Sequence, residues 1–98
     1  PLWLEVPSVN TFIQYTYSNQ MLKEASNVMV IYDADNVKDV IQTLRGHCLA
    51  RNWTVCPSKS IMGSEASIVI IYDMKSINFE AISRAVIQLI FVTTKNSR

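Results

Sequence analysis

Two apolar runs constrain this chain more than any other feature. Val28-Met29-Val30-Ile31-Tyr32 and Ile68-Val69-Ile70-Ile71-Tyr72 both close on Ile-Tyr-Asp, with Asp33 after the first and Asp73 after the second. Neither run alternates apolar with polar residues. A strand that is apolar on both faces must be covered on both faces, which favours a parallel sheet between two layers. After the first run, Val37, Val40, Ile41, Leu44, Cys48 and Leu49 stand at offsets 0, 3, 4, 7, 11 and 12. That spacing draws one apolar stripe along a helix. A short β-prone run, Trp53-Thr54-Val55-Cys56, follows, so the centre of the chain reads strand, helix, strand.

The rest of the chain is read outward from this unit. Leu2-Trp3-Leu4-Glu5-Val6 reads as a strand stopped by Pro7-Ser8. Ser8 can cap a helix, whose apolar positions are Val9, Phe12, Ile13, Tyr17, Met21, Leu22 and Ala25, and Ser26-Asn27 ends it. Asp35 or Asn36 can cap the central helix, with Asp39 in its first turn and Arg45 and Arg51 toward its end, each suited to the helix dipole. The stretch from Pro57 to Ala66 carries the weakest pattern. Beyond Asp73 a last helix is expected from Asn78, with Phe79, Ile82, Val86, Leu89 and Ile90 inward. One more strand can start over Ile90–Thr94, before a polar tail, Lys95–Arg98.

Two architectures fit. The first is a small parallel-sheet, Rossmann-like α/β lobe with flanking helices, with strands starting near Leu2, Val28, Trp53 and Ser67. The second reads β-α-β-β-α-β from Val28 as a ferredoxin-like sandwich, with Trp53–Ile61 and Ser67–Tyr72 as a hairpin around Met62-Gly63-Ser64-Glu65. The short link before Ala66 favours the sandwich, because a parallel crossover with its helix takes about 10–12 residues or more. The first strand and helix, and the apolar character of both faces of the two long runs, favour the parallel lobe.

Composition bounds the function. Ninety-eight residues make a single domain or one lobe of a larger chain, 49% of them hydrophobic. A net charge of +1 advertises no nucleic-acid partner. The longest apolar stretch, Ala85 to Val92, falls short of the ~20 residues of a membrane helix, so this segment is not expected to insert into a membrane. Cys48 and Cys56 are expected as free buried thiols. His47 stands beside Cys48 within the helix and is expected at a surface or half-buried position. No metal-ligand motif occurs, and neither a metal nor a cofactor is expected. Asp33, Asp35, Asn36 and Asp73 could gather carboxylates at one sheet edge for a metal-dependent nuclease. Their simpler use is to cap helices. Tyr32 and Tyr72, with Lys59 and Lys75, would have to stand exposed to make an RNA-binding sheet face. Phe12, Tyr15, Tyr17 and Met21 exceed what one buried stripe needs, which marks the first helix as a candidate interface with a second lobe or subunit. Asn52-Trp53-Thr54 is an N-glycosylation sequon.

The order of elements resembles a known family. Leu2-Trp3-Leu4-Glu5-Val6-Pro7-Ser8-Val9, the strand Val28-Met29-Val30-Ile31-Tyr32-Asp33-Ala34-Asp35, the helix with Ile41-Gln42-Thr43-Leu44, and Arg51-Asn52-Trp53-Thr54-Val55 look like the second lobe of type I periplasmic-binding-protein-like domains. Such domains include the amino-terminal domains of ionotropic glutamate receptors. The chain departs from that pattern in two places. Asn36-Val37 stands where the family usually carries a glycine, and the crossover helix between Cys56 and Ala66 is truncated. The resemblance implies one lobe of a clamshell, a piece of a longer chain, on the extracellular face of a membrane receptor and without enzymatic activity. It implies a glycoprotein whose partner is a second lobe or a homologous subunit, with a possible small-molecule ligand. Ligand-side residues would then stand at carboxyl strand ends: Ser8, Asp33, Asp35, Ser58 and Asp73. A cytoplasmic, ferredoxin-like interaction or RNA-binding module is the alternative.

Overall fold

The computed structural model describes residues 2–35, 37–60, 65–74 and 85–94. The chain runs β1 (Leu2–Val6), α1 (Val9–Ser18), α2 (Gln20–Glu24), β2 (Val28–Tyr32), α3 (Ile41–Ala50), β3 (Thr54–Pro57), a 3₁₀ turn (Ser58–Ser60), β4 (Ala66–Tyr72) and β5 (Ala85–Thr94). The strands form one sheet in the order β1-β5-β4-β2-β3. Every pairing is parallel. The protein is therefore a small Rossmann-like α/β lobe, and the ferredoxin-like alternative is overturned. β3 and β4 make no hairpin, because each pairs in parallel with β2 on opposite sides.

The apolar runs explain this arrangement. All five residues of β2 are buried, and so are all but one of the seven in β4. On one face Val28, Val30 and Tyr32 of β2, Ile68, Ile70 and Tyr72 of β4, and Ile90 and Val92 of β5 meet Phe12, Leu22, Leu44 and Cys48 from the helices. On the other face Met29, Ile31, Val69, Ile71 and Phe91 form a second cluster, with Cys56 and Met74 packed against it. Full burial of each such side chain stabilises by about 1.5–3 kcal/mol, so neither face could be left to water cheaply.

α1, α2 and α3 all serve the first face, as right-handed crossovers require for steps β1 to β2 and β2 to β3 in the same direction. The steps β3 to β4 and β4 to β5 run the other way. Cys56, within β3, and Met74, just after β4, pack on the second face. The link between Pro57 and Ala66 holds residues 58–65. It must step about 10 Å sideways past β2 and return about 20 Å along the strands. Eight residues reach about 28 Å at most, so the parallel connection closes without a helix's worth of chain.

Several expectations are corrected. The first helix is two: α1 ends at Ser18, and Asn19 caps α2 by accepting the Leu22 N–H at 3.1 Å. α3 begins at Ile41 with Val40 at its cap and no side-chain capping bond, so Asp35 does not cap it and Asp39 precedes its first turn. Asn36 lies outside the described residues. Leu49, expected on the buried stripe, is 68% exposed, and His47 is buried in its stead. Leu44 and Cys48 hold the expected face; at about 100° per residue Leu49 falls to the outer side of Leu44, whereas His47, three residues after Leu44, shares its side. Leu89 and Ile90 belong to β5, which begins at Ala85, rather than to a preceding helix. Phe79 and Ile82 lie outside the described residues, as do Met62 to Ser64.

Candidate binding edge at the switch point

In an all-parallel sheet every strand ends at the same edge, so the residues after the strands are gathered by topology alone. Ser8 follows β1, Asp33 and Asp35 follow β2, Ser58 follows β3 and Asp73 follows β4. All five sequence candidates therefore stand along the carboxyl edge. From β2 the chain first moves outward to β3 and then crosses to β4 on the other side. The strand order thus reverses between β2 and β4, and open α/β sheets place their crevice outside the carboxyl ends at such a point. Register puts the two Ile-Tyr-Asp repeats side by side there: Ile31 pairs with Ile71 and Tyr32 with Tyr72.

The polar groups at this edge already have local work. The Ser8 hydroxyl accepts the Thr11 N–H at 3.3 Å and lies 3.3 Å from the Thr11 hydroxyl, as the predicted cap of α1. Asp33 is half-buried, and its Oδ1 accepts the Asp35 N–H at 3.1 Å while its carbonyl accepts the Val37 N–H at 3.2 Å. This Asx turn carries the chain away from β2. Asp73 is buried and stands at φ 52, a left-handed conformation that Asp tolerates better than most residues. Its carboxylate accepts the Thr94 N–H at 3.2 Å and the Thr94 hydroxyl at 2.9 Å, and its own N–H donates to Val92 O at 2.7 Å. Asp73 therefore ties the end of β4 to the end of β5. Asp35 is exposed and Ser58 half-buried, which makes them the freest side chains of the set to meet a ligand. Among the described residues no group of three or more His, Cys, Asp or Glu side chains is placed to hold a metal ion.

The tyrosines end in the core. Tyr32 and Tyr72 are 5% and 1% exposed, and Tyr72 packs on Phe12 with ring centroids 5.1 Å apart. Burial, with the Asp73 charge adding to it, pushes the Tyr72 phenol up to about 12. Tyr32 and Tyr72 thus offer no exposed platform on which bases could stack. Phe12 is also fully buried, so it cannot belong to an interface. Tyr15 is half-buried, its hydroxyl accepting from Asn19 Nδ2 at 3.0 Å. Tyr17 is 54% exposed. Met21 lines an open depression of about 310 Å³ with Glu24, Ala25, Ser26, Ser67, Ile68 and Ile87. That depression lies at the amino edge of the sheet, away from the switch point.

Sequence reasoning missed a second constellation, in the helix layer. His47 Nε2 lies 3.0 Å from Thr16 Oγ1. Because Thr16 Oγ1 donates to Ile13 O at 2.7 Å, its lone pair is left to accept the His47 Nε2–H. The imidazole sits edge-on between Tyr17 and Trp53, each with its centroid 5.4 Å away. The Arg51 guanidinium lies over the Trp53 ring at 4.3 Å and the Tyr17 ring at 4.9 Å. It donates from Nη1 to Thr16 O at 3.3 Å and from Nη2 to Leu22 O at 2.7 Å. Burial first, and the Arg51 charge second, lower the His47 pKa. The group is a clamp that joins α1, α2 and the end of α3. The sequence places Arg51 only for the helix dipole; it and His47 meet Thr16, Tyr17 and Leu22 through tertiary packing alone.

Cys48 belongs to the first cluster and Cys56 packs against the second. They lie on opposite faces of the sheet and are free thiols. Burial pushes the Cys48 thiol up to about 12 against the opposing pull of Arg51, and raises Cys56 as well. Asn52 is exposed at φ 59, where Trp53 N–H reaches Cys48 O at 2.8 Å and Asn52 N–H reaches Leu49 O at 3.2 Å. These two bonds make a Schellman ending for α3 with Asn in the left-handed position. Compared with models of known protein families, with curated proteins and with solved structures, the chain matches none.

Proposed function

We propose that this chain is a non-enzymatic lobe of an extracellular receptor domain, acting in ligand recognition or subunit assembly. The observation that carries the reading is the reversal of strand order between β2 and β4, which opens the carboxyl edge beside Asp33 and Asp35. The acids there support binding rather than proton transfer. Asp33 and Asp73 are engaged in turn and strand-end hydrogen bonds, leaving Asp35 and Ser58 to orient a small polar ligand against the opposing lobe. Asn52 precedes β3 at the opposite, amino edge, so a glycan there would leave the carboxyl edge open.

Two measurements test this. The intact protein from its native source should carry a glycan at Asn52, seen as a mass loss on endoglycosidase treatment. A thermal-shift panel of amino acids, sugars and nucleotides should find a ligand whose stabilisation is lost in Asp35→Ala and kept in Tyr17→Ala. A ligand at about 100 times its Kd adds about 2.7 kcal/mol, worth about 4–8 °C per kcal/mol in a domain of this size. An unmodified Asn52 together with salt-sensitive binding to single-stranded RNA would sink the proposal.

A further inference from the structure

The two edges of the sheet are treated differently. β3 is four residues long and ends in Pro57, which faces Tyr32 in register. Proline removes a donor and belongs on an edge that is not to be extended. β1 is the opposite edge, and among the described residues only β5 pairs with it, regularly, from Leu2↔Ile90 to Val6↔Thr94. It holds no proline, lysine or bulge. Trp3 is 64% exposed and stacks on Phe91 at 4.2 Å with 14° between the rings, which fixes a flat aromatic surface at the edge. Leu2 is also exposed, at 36%. A regular edge strand whose only charged side chain is Glu5 is a template for another strand.

The sequence of β1 is compatible with pairing against its own copy. Isologous dimers place the same element against itself about a two-fold axis, which makes the two copies of β1 antiparallel. With the axis at Leu4, Leu2 faces the other copy's Val6, Leu4 faces Leu4, and Trp3 faces Glu5. Leu2, Leu4 and Val6 then continue the helix-side face, where Leu4 and Val6 already pack. On the other face each Glu5 carboxylate meets an indole, whose N–H is a donor, and no acid faces an acid. Pro7 closes the register just past Val6. We infer that β1 is a homodimerisation edge, joining two copies through an antiparallel Leu2–Val6 pairing centred on Leu4 into one ten-stranded sheet. An antiparallel join at the edge of a parallel sheet is a common arrangement. The pairing lies apart from the switch point and holds whatever the carboxyl edge binds.

Sedimentation equilibrium of the intact protein should give twice the single-chain mass. Trp3→Glu sets two acids against two acids and should reduce it to the single-chain mass. Adding Glu5→Lys to Trp3→Glu should restore the dimer, because each new acid then faces a lysine. Leu4→Cys should form a covalent dimer under mild oxidation, since directly opposed β-carbons stand about 4.5–5.5 Å apart. A single-chain mass for the unaltered protein at all concentrations would overturn the inference. So would a Trp3→Glu protein that folds and stays dimeric, or a folded double variant that stays monomeric. If Trp3→Glu fails to fold, the Leu4→Cys result decides: no cross-link means no such pairing.

Discussion

His47 is the only histidine in the chain, so its environment sets how the protein answers pH near neutrality. Its folded pKa lies below its ordinary value of 6.5, because burial and then Arg51 disfavour the imidazolium. Protonation would also force two cations together beneath Tyr17 and Trp53. In the window between the folded and ordinary values the unfolded chain binds the extra proton and the folded chain does not. The contribution of His47 is therefore complete above about pH 6.5 and is lost as pH falls through the folded value. Urea denaturation measured from about pH 8 down to about pH 5 should show stability declining below pH 6.5, with a slope of at most about 1.4 kcal/mol per pH unit from this group. His47→Gln should flatten that decline while keeping a donor for Thr16 Oγ1. A slope unchanged in the variant would mean that other groups govern it. None of this was legible in the sequence. A lone histidine among helical residues reads as a surface group, and Thr16 stands 31 positions away.

At the scale of the element, α1 has one face that is core and one that is not. Phe12 is fully buried and touches Tyr72, whereas Tyr17 is more than half exposed. Phe12→Ala should cost about 3–5 kcal/mol by removing a buried ring and leaving a cavity. Tyr17→Ala should cost less than half as much, since it loses only the edge contact with His47 and the cation–π contact with Arg51. Chemical denaturation of the two variants checks the order, and equal costs would reverse the assignment of faces. The spacing places Val9 and Phe12 among the apolar positions of this helix, but Phe12 also reads as an interface candidate, and only its burial against Tyr72 decides between the two. The break at Asn19 was not legible, because an Asn inside a helical pattern signals a cap only once the chain is seen to change direction there. The ending of α3 is similar: Asn52 read as a sequon residue, and its left-handed turn explains the residue on backbone grounds alone.

For the whole molecule, the decisive property is that the sheet is buried on both sides. Ile70 and Ile71 are neighbours in β4, 0% and 3% exposed, and they point into different clusters. Ile70→Ala and Ile71→Ala should each cost about 2–5 kcal/mol in equilibrium unfolding. A sheet with one open face would make one of the two nearly free.

The sequence by itself located the two central strands and favoured a parallel sheet, while its short link before Ala66 left a ferredoxin-like sandwich open until the pairings decided. Runs apolar on both faces favour strands covered on both sides, as in a parallel sheet, and the two Ile-Tyr-Asp repeats do lie in register. It also determined the Ser8 cap, because capping is local chemistry between residues three apart. Only the tertiary structure decided the strand order, the placing of β1 beside β5, and hence the position of the switch point. Those depend on which distant strands pair, and apolar runs of similar composition do not encode their neighbours. It likewise turned Asp73 from a ligand candidate into a tie to Thr94, since a hydrogen bond across 21 residues exists only once β4 and β5 are aligned.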